Sequence, residues 1–153
     1  VAAGDVAEKV QATGTVQPVL QVNIGAQVSG RVARVHVDYN SMVKKGDVLA
    51  EIDPVQFGAQ VRQQTANLSR ERAAITQAET NAELARIVYE RAQKLFAQNL
   101  ASRAELDDAK GKYEVAQAQV RSAQAGAGAI EAALAREQTN VSWTKIISPV
   151  NGV

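Results

Sequence analysis

Hydrophobic positions along this chain change their period twice, and each change marks a boundary between elements. In residues 28–37, "VSGRVARVHV", Val28, Val32, Val35 and Val37 are interleaved with polar residues, close to the period-2 alternation of a half-buried strand. Gly30 interrupts the run where a bulge or a close backbone approach would sit. The stretch 38–47, "DYNSMVKKGD", offers turn chemistry at Asn40-Ser41 and Gly46-Asp47, and "VLAEID" after it reads as a second strand. Upstream, residues 4–24 look strand-like in short pieces around Val6, Val10, Val16, Leu20, Val22 and Ile24, punctuated by Gly14 and Pro18.

From Pro54 the period lengthens. Proline suits the first position of a helix, with Asp53 before it as N-cap. Val61, Leu68, Ile75, Ala82, Tyr89 and Phe96 then recur every seven residues, with Ala78, Ala85 and Ala92 three positions after a repeat residue. A second series follows: Leu106, Tyr113, Val120, Ala127, Leu134 and Val141, with Ala109, Ala116, Ala123 and Ile130 at the same offset. Each is the a/d seam of a coiled coil. Between them "QNLAS" (98–102) is short and polar, and Ser102 with Glu105 three residues on forms a capping-box pattern. Two helices joined by so short a loop run antiparallel. The pattern therefore predicts arms at about 54–97 and 102–141, a tip at 98–101, and a rod about 60 Å long.

The outward faces carry further small or apolar residues. Leu84, Val88 and Leu95 lie on one arm, and Val115, Ala118, Ala125, Ala129 and Ala132 on the other. That surplus suggests lateral packing against other helices, including copies of the chain. Gly126 and Gly128 fall inside the second arm, where each costs about 1 kcal/mol relative to alanine. They mark a bend or a tight crossing, or are simply tolerated. Residues 142–153, "SWTKIISPVNGV", return to β-like composition.

Composition agrees with a thin architecture. One Trp, two Phe and three Tyr in 153 residues supply too few bulky side chains for one thick core, while Ala and Val keep the chain apolar. A net charge of +1 gives no bulk attraction to nucleic acid or anionic lipid, so no nucleic-acid partner is expected. Without cysteine there is no disulfide, thiolate metal site or Cys nucleophile. The single histidine, His36, alternates with Val35 and Val37 as a surface strand residue would. Asp107-Asp108 read as a solvated face, and "GAGA" (126–129) lies within a helix and lacks the lysine of a phosphate loop. No catalytic, cofactor-binding or metal-binding residue is assigned, and no enzyme activity or cofactor is expected. No apolar run approaches the roughly 20 residues of a membrane span and no signal peptide is visible, so any anchor is expected upstream of Val1.

Two short segments tie the ends together. "QVSGRV" (27–32) and "PVNGV" (149–153) share a valine, a small polar residue, a glycine and a following valine, with the whole hairpin between them. A β module of two similar halves, split by an inserted hairpin, accounts for both. "GRVARVHVDYNSMVKKGDVLAEIDP" (30–54) resembles the first half of a biotinyl/lipoyl domain. Where a lipoyl carrier has its modified lysine, this chain reads Asp53-Pro54-Val55, which argues against acyl carriage. The split arrangement resembles the periplasmic adaptors, or membrane fusion proteins (HlyD-like), and "GAQVSGRV" (25–32) is most similar to the macrolide-exporter adaptor type.

The resemblance implies an α+β fold with a long hairpin inserted into a split lipoyl-like domain. Its parts would be β-barrel or membrane-proximal strands at 1–24, a first lipoyl half at 25–53, the hairpin at 54–141, and the start of the second half at 142–153. It also implies a family tip signature, Arg-x3-Leu-x6-Ser, matched by Arg91, Leu95 and Ser102. By the same resemblance these residues would dock an outer-membrane channel of TolC-like type. An inner-membrane transporter of ABC type would be the second partner. The chain would act as a homo-oligomeric, hexameric ring in the periplasm, attached to the inner membrane, for export of drugs or other small molecules. An adaptor of a proton-driven pump or of type I secretion, a lipoyl-type carrier, and a plain coiled-coil scaffold are the alternatives.

Overall fold

The computed structural model describes Gly4, residues 9–15 and residues 17–153. Strands β1 (Val32–Val35) and β2 (Val48–Ile52) precede helices α1 (Val55–Ala97) and α2 (Arg103–Ser142), and β3 (Lys145–Ile147) follows. The sheet is antiparallel with β2 in the centre, in the order β1-β2-β3. None of the helices described is long and apolar enough to cross a membrane.

The sheet determines where the hairpin begins. Helix α1 leaves from the end of β2, and α2 returns into β3, its antiparallel neighbour. The Ile52 N–H donates to the Thr144 carbonyl at 2.8 Å, so the two roots of the hairpin lie side by side. Ile52, 3% exposed, and Thr144, whose hydroxyl donates to the Val141 carbonyl, are buried at this junction. Helix α1 starts at Val55, one residue later than the sequence suggests. Pro54 stands before it, and Asp53 Oδ1 still accepts the Val55 N–H at 3.0 Å, satisfying one of the orphan donors of the first turn.

Local chemistry shapes the β module. A side chain at position 30 would place its Cβ 2.6 Å from Ile52 Cγ2, so only glycine admits this approach. Turns close at 38–41 and 44–47, through Ser41 N–H to Asp38 and Asp47 N–H to Lys44, with Gly46 at φ +97°. The two half-motifs meet different neighbours. The second pairs with the turn region: Val43 and Gly152 exchange backbone hydrogen bonds, and Asn151 Oδ1 accepts the Lys45 N–H at 2.7 Å.

Two expectations for the β segments need correction. The described residues of 9–24 form no strand, and Val10, Leu20, Val22 and Ile24 are exposed. A strand needs a partner ladder for its backbone groups, and the sheet offers them none. The pieces around Val6 and Val16 lie outside the described residues. The half-buried alternation over 28–37 also fails in β1, where every residue is exposed and the register shifts between Val32 and Arg34. Only Val28 and Val37, outside the strand, are half-buried.

The helices pack along the repeat. Val61, Ile75, Ala82, Tyr89, Leu106, Tyr113, Val120 and Leu134 are half-buried between them, and Leu68 and Ala127 are buried. Ala78 and Ala109 are also buried, and small residues at these positions let the backbones come close. Phe96 differs: in the last turn before the tip it is exposed. Tyr89 and Tyr113 stack across the hairpin with ring centroids 5.9 Å apart and planes 10° from parallel, and Arg72 pairs with Glu131 at 3.0 Å. Towards the base the seam includes polar groups that the alanine pattern does not announce. Gln64 and Glu71 sit at its repeat offset on α1, and Glu137 on α2 is buried. Asn140 and Arg136 donate to the Glu137 carboxylate, and in that order they hold its pKa below the usual carboxylate value.

Candidate docking site at the hairpin tip

The tip is built by a helix stop and a helix start placed back to back. At the end of α1, Asn99 takes the left-handed conformation with φ 57°. The Leu100 N–H then donates to the Leu95 carbonyl at 2.9 Å, and the Asn99 N–H to the Phe96 carbonyl at 2.9 Å. This is the Schellman arrangement, with asparagine in the place usually held by glycine. Ser102 opens α2: its hydroxyl accepts the Glu105 N–H at 3.2 Å, while Glu105 Oε2 accepts the Ser102 N–H at 2.7 Å. The backbone and then the hydroxyl of Ser102 hold the exposed Glu105 carboxyl below its usual pKa. Both helix ends are thereby capped by groups of the loop itself.

The three residues singled out by spacing have different surroundings. Ser102 is exposed and occupied as a cap. Leu95 presents its side chain, 38% exposed, while its carbonyl closes the helix stop. Arg91 is exposed and makes no ion pair among the described residues. Its neighbour Arg86 is a contrast. The Arg86 guanidinium is bonded to Glu83 at 2.6 Å and to Glu90, which raise its pKa further. The Arg91 guanidinium thus has its planar fork of donors unengaged by any carboxylate among the described residues.

Leu84, Val88, Arg91 and Leu95 fall at helical spacing on one stripe of α1, and the three apolar members are exposed. Leu100, 71% exposed at the apex, extends the apolar surface and was not among the residues marked by the family spacing. The signal for it lies in the sequence: a leucine directly after the helix-stopping Asn99 projects beyond both helices. Val115, Ala118, Ala125, Ala129 and Ala132, the outward residues of α2, are exposed as well. A rim of unpaired guanidinium and exposed leucines on a self-capped loop suits recognition of another helical surface. Among the described residues, no group of acidic or histidine side chains is placed to hold a metal ion.

Comparison with known proteins fits this hairpin-in-β-module architecture. The family model of the RND membrane fusion protein (RND MFP) barrel-sandwich hybrid domain matches residues 20–153. The chain belongs to the RND membrane fusion protein family. Within that family it is 36% identical over 149 residues to the macrolide export protein MacA of Escherichia coli O157:H7, covering 97% of this chain and 40% of that protein. It is 35% identical over 139 residues to the multidrug resistance protein MdtA of Cronobacter turicensis, covering 91% and 30% respectively. The crystal structure of MacA from Actinobacillus actinomycetemcomitans superposes with a TM-score of 0.83 at 32% identity, over 88% of this chain and 42% of that one. This membrane fusion protein chain therefore spans less than half the length of the relatives it matches. The match to solved MacA also supports reading the small sheet and the long hairpin as one α+β unit of the family's barrel-sandwich type.

Proposed function

We propose that this chain is the hairpin-bearing part of a periplasmic adaptor subunit in a tripartite efflux pump. It would link an inner-membrane transporter to an outer-membrane channel for export of drugs or other small molecules. The observation that carries this reading is the tip. A helix pair of 43 and 40 residues, about 60 Å long, ends in a self-capped loop that presents a free Arg91 beside exposed Leu95 and Leu100. A rod of this kind transmits position over a distance and performs no chemistry. In this reading the chain is not an enzyme, and energy for transport comes from the partner transporter. The ABC type is favoured for that transporter by the similarity of residues 25–32 to macrolide-exporter adaptors, and a proton-driven transporter is the alternative. Side-by-side packing of hairpins through their outward small and apolar residues would assemble a ring, hexameric by family resemblance. The ring would stand in the periplasm, attached to the inner membrane.

The absence of native cysteines makes the docking step directly testable. A cysteine placed at the exposed Gln98 in the full-length protein should cross-link to the outer-membrane channel in intact cells. A cysteine at Gln77, mid-rod, should not. Arg91→Asp and Leu95→Ser should abolish the tip cross-link at unchanged expression. Absence of any tip cross-link in the wild-type background would reject docking through this loop.

A further inference from the structure

The seam fixes how the rest of each helix surface is disposed. A strict seven-residue repeat holds every position at a constant angle to the partner helix, so the hairpin has two broad flanks that run the length of the rod. On one flank charge is dense. Glu79, Glu83 and Arg86 of α1 gather with Gln117 and Arg121 of α2 around one groove, where Arg86 is held by Glu83 and Glu90. Nearer the base, Arg72 pairs with Glu131 across the hairpin on this same flank. The opposite flank is formed by the residues that directly precede the main seam series: Asn67, Ala74 and Asn81 on α1, and Gln119, Gly126 and Ala133 on α2. None of these positions is charged. The Glu71 carboxylate reaches this flank, where a methyl group on Gly126 would meet it at 3.8 Å, and Arg70 balances it at 3.1 Å. A methyl group at Gly128 would meet nothing within 4 Å, so neither glycine marks a tight crossing between α1 and α2.

Leu84 on α1 and Val115, Ala118 and Ala125 on α2 are exposed on the sides of the arms that point away from the seam, and belong to the surface assigned above to packing between copies. Side-by-side packing through them leaves one broad flank facing into the ring and the other facing out. Resting on that ring reading, we propose that the uncharged flank lines the duct as the surface along which exported solutes pass, and that the charged flank faces the periplasm. In a confined passage, fixed charge acts over a Debye length of about 8 Å between low-dielectric walls, so repeated copies of one charge would hold counter-charged solutes and repel the rest. Amide and methyl groups offer weak, replaceable contacts that release a solute as readily as they receive it, which is the condition for conduction. Mixed charges on the other flank suit a surface that must stay solvated and unaggregated.

Thiol labelling of the full-length protein tests the assignment. Asn81 and Arg121 are both exposed and lie on opposite flanks at a similar height, since Glu79, Ala82 and Arg121 share one groove. Single variants Asn81→Cys and Arg121→Cys should react with N-ethylmaleimide at similar rates before the ring assembles. After assembly, a maleimide carried on a polyethylene glycol too large to enter the ring should label Asn81→Cys at least about tenfold more slowly than Arg121→Cys, with N-ethylmaleimide still reaching both. Slower polymer labelling of Arg121→Cys would overturn the choice of flank and leave the ring standing. Polymer labelling equal within about threefold at the two positions would overturn the lined duct and the ring together, because neither flank would then be enclosed.

Discussion

At the residue scale, single positions control a close approach in the β module and the first turn of α2. Gly30 is one. An alanine there would collide with the Cγ2 of Ile52, a stiff, β-branched side chain that is buried and has little room to turn. Gly30→Ala should destabilise the β module by about 1–3 kcal/mol, measured by urea unfolding followed by circular dichroism. Glu105 is the other. Its folded pKa lies below the usual carboxylate value, so the cap contributes fully above about pH 4.5 and is lost as pH falls through that lowered value. Acidification below pH 4.5 should therefore fray the first turn of α2, visible in the amide shifts of Ser102 and Glu105, and Glu105→Gln should abolish this pH dependence. The spacing of Ser102 and Glu105 made the cap legible in advance. The stop at Asn99 was less so, because asparagine serves it only through the left-handed backbone that the fold imposes.

At the scale of elements, the hairpin illustrates how a repeat encodes contact but not its strength. Heptad spacing identified the positions that face the partner helix, and the small residues among them are buried where the backbones approach closely. Leu68, 6% exposed, is among the larger side chains in the base half, and Leu68→Ala should cost about 2–4 kcal/mol in the unfolding free energy obtained by chemical denaturation. A loss below about 0.5 kcal/mol would mean that the seam contributes little there. The polar members of the same seam escaped the pattern. Glu137 reads as a surface acid, yet it is buried because Asn140 and Arg136 on its own helix satisfy its oxygens. Local hydrogen bonds of this kind have no periodic signature.

For the molecule as a whole, the decisive feature is the junction at which a small sheet meets a long rod. Since β2 and β3 are adjacent and antiparallel, the helices they bear start side by side, and the shape of the base is transmitted to a tip about 60 Å away. The residues proposed for docking contribute nothing to this junction, so Arg91→Asp combined with Leu95→Ser should leave the thermal midpoint within about 2 °C of wild type while the tip cross-link disappears. A large fall in the midpoint would place those side chains in the fold instead of at an interface. The sequence by itself determined the period changes, the arms and the cap at Ser102, because each depends on neighbours within a few residues or on a repeat; for Gly30 it left a bulge or a close approach open, and the fold brought Ile52 there. Only the tertiary structure decided that β1 is exposed on both faces, that the described residues of 9–24 pair with nothing, and that Arg91 stays free while Arg86 is held. These outcomes depend on which groups from distant parts of the chain arrive beside a residue, and no local pattern carries that information.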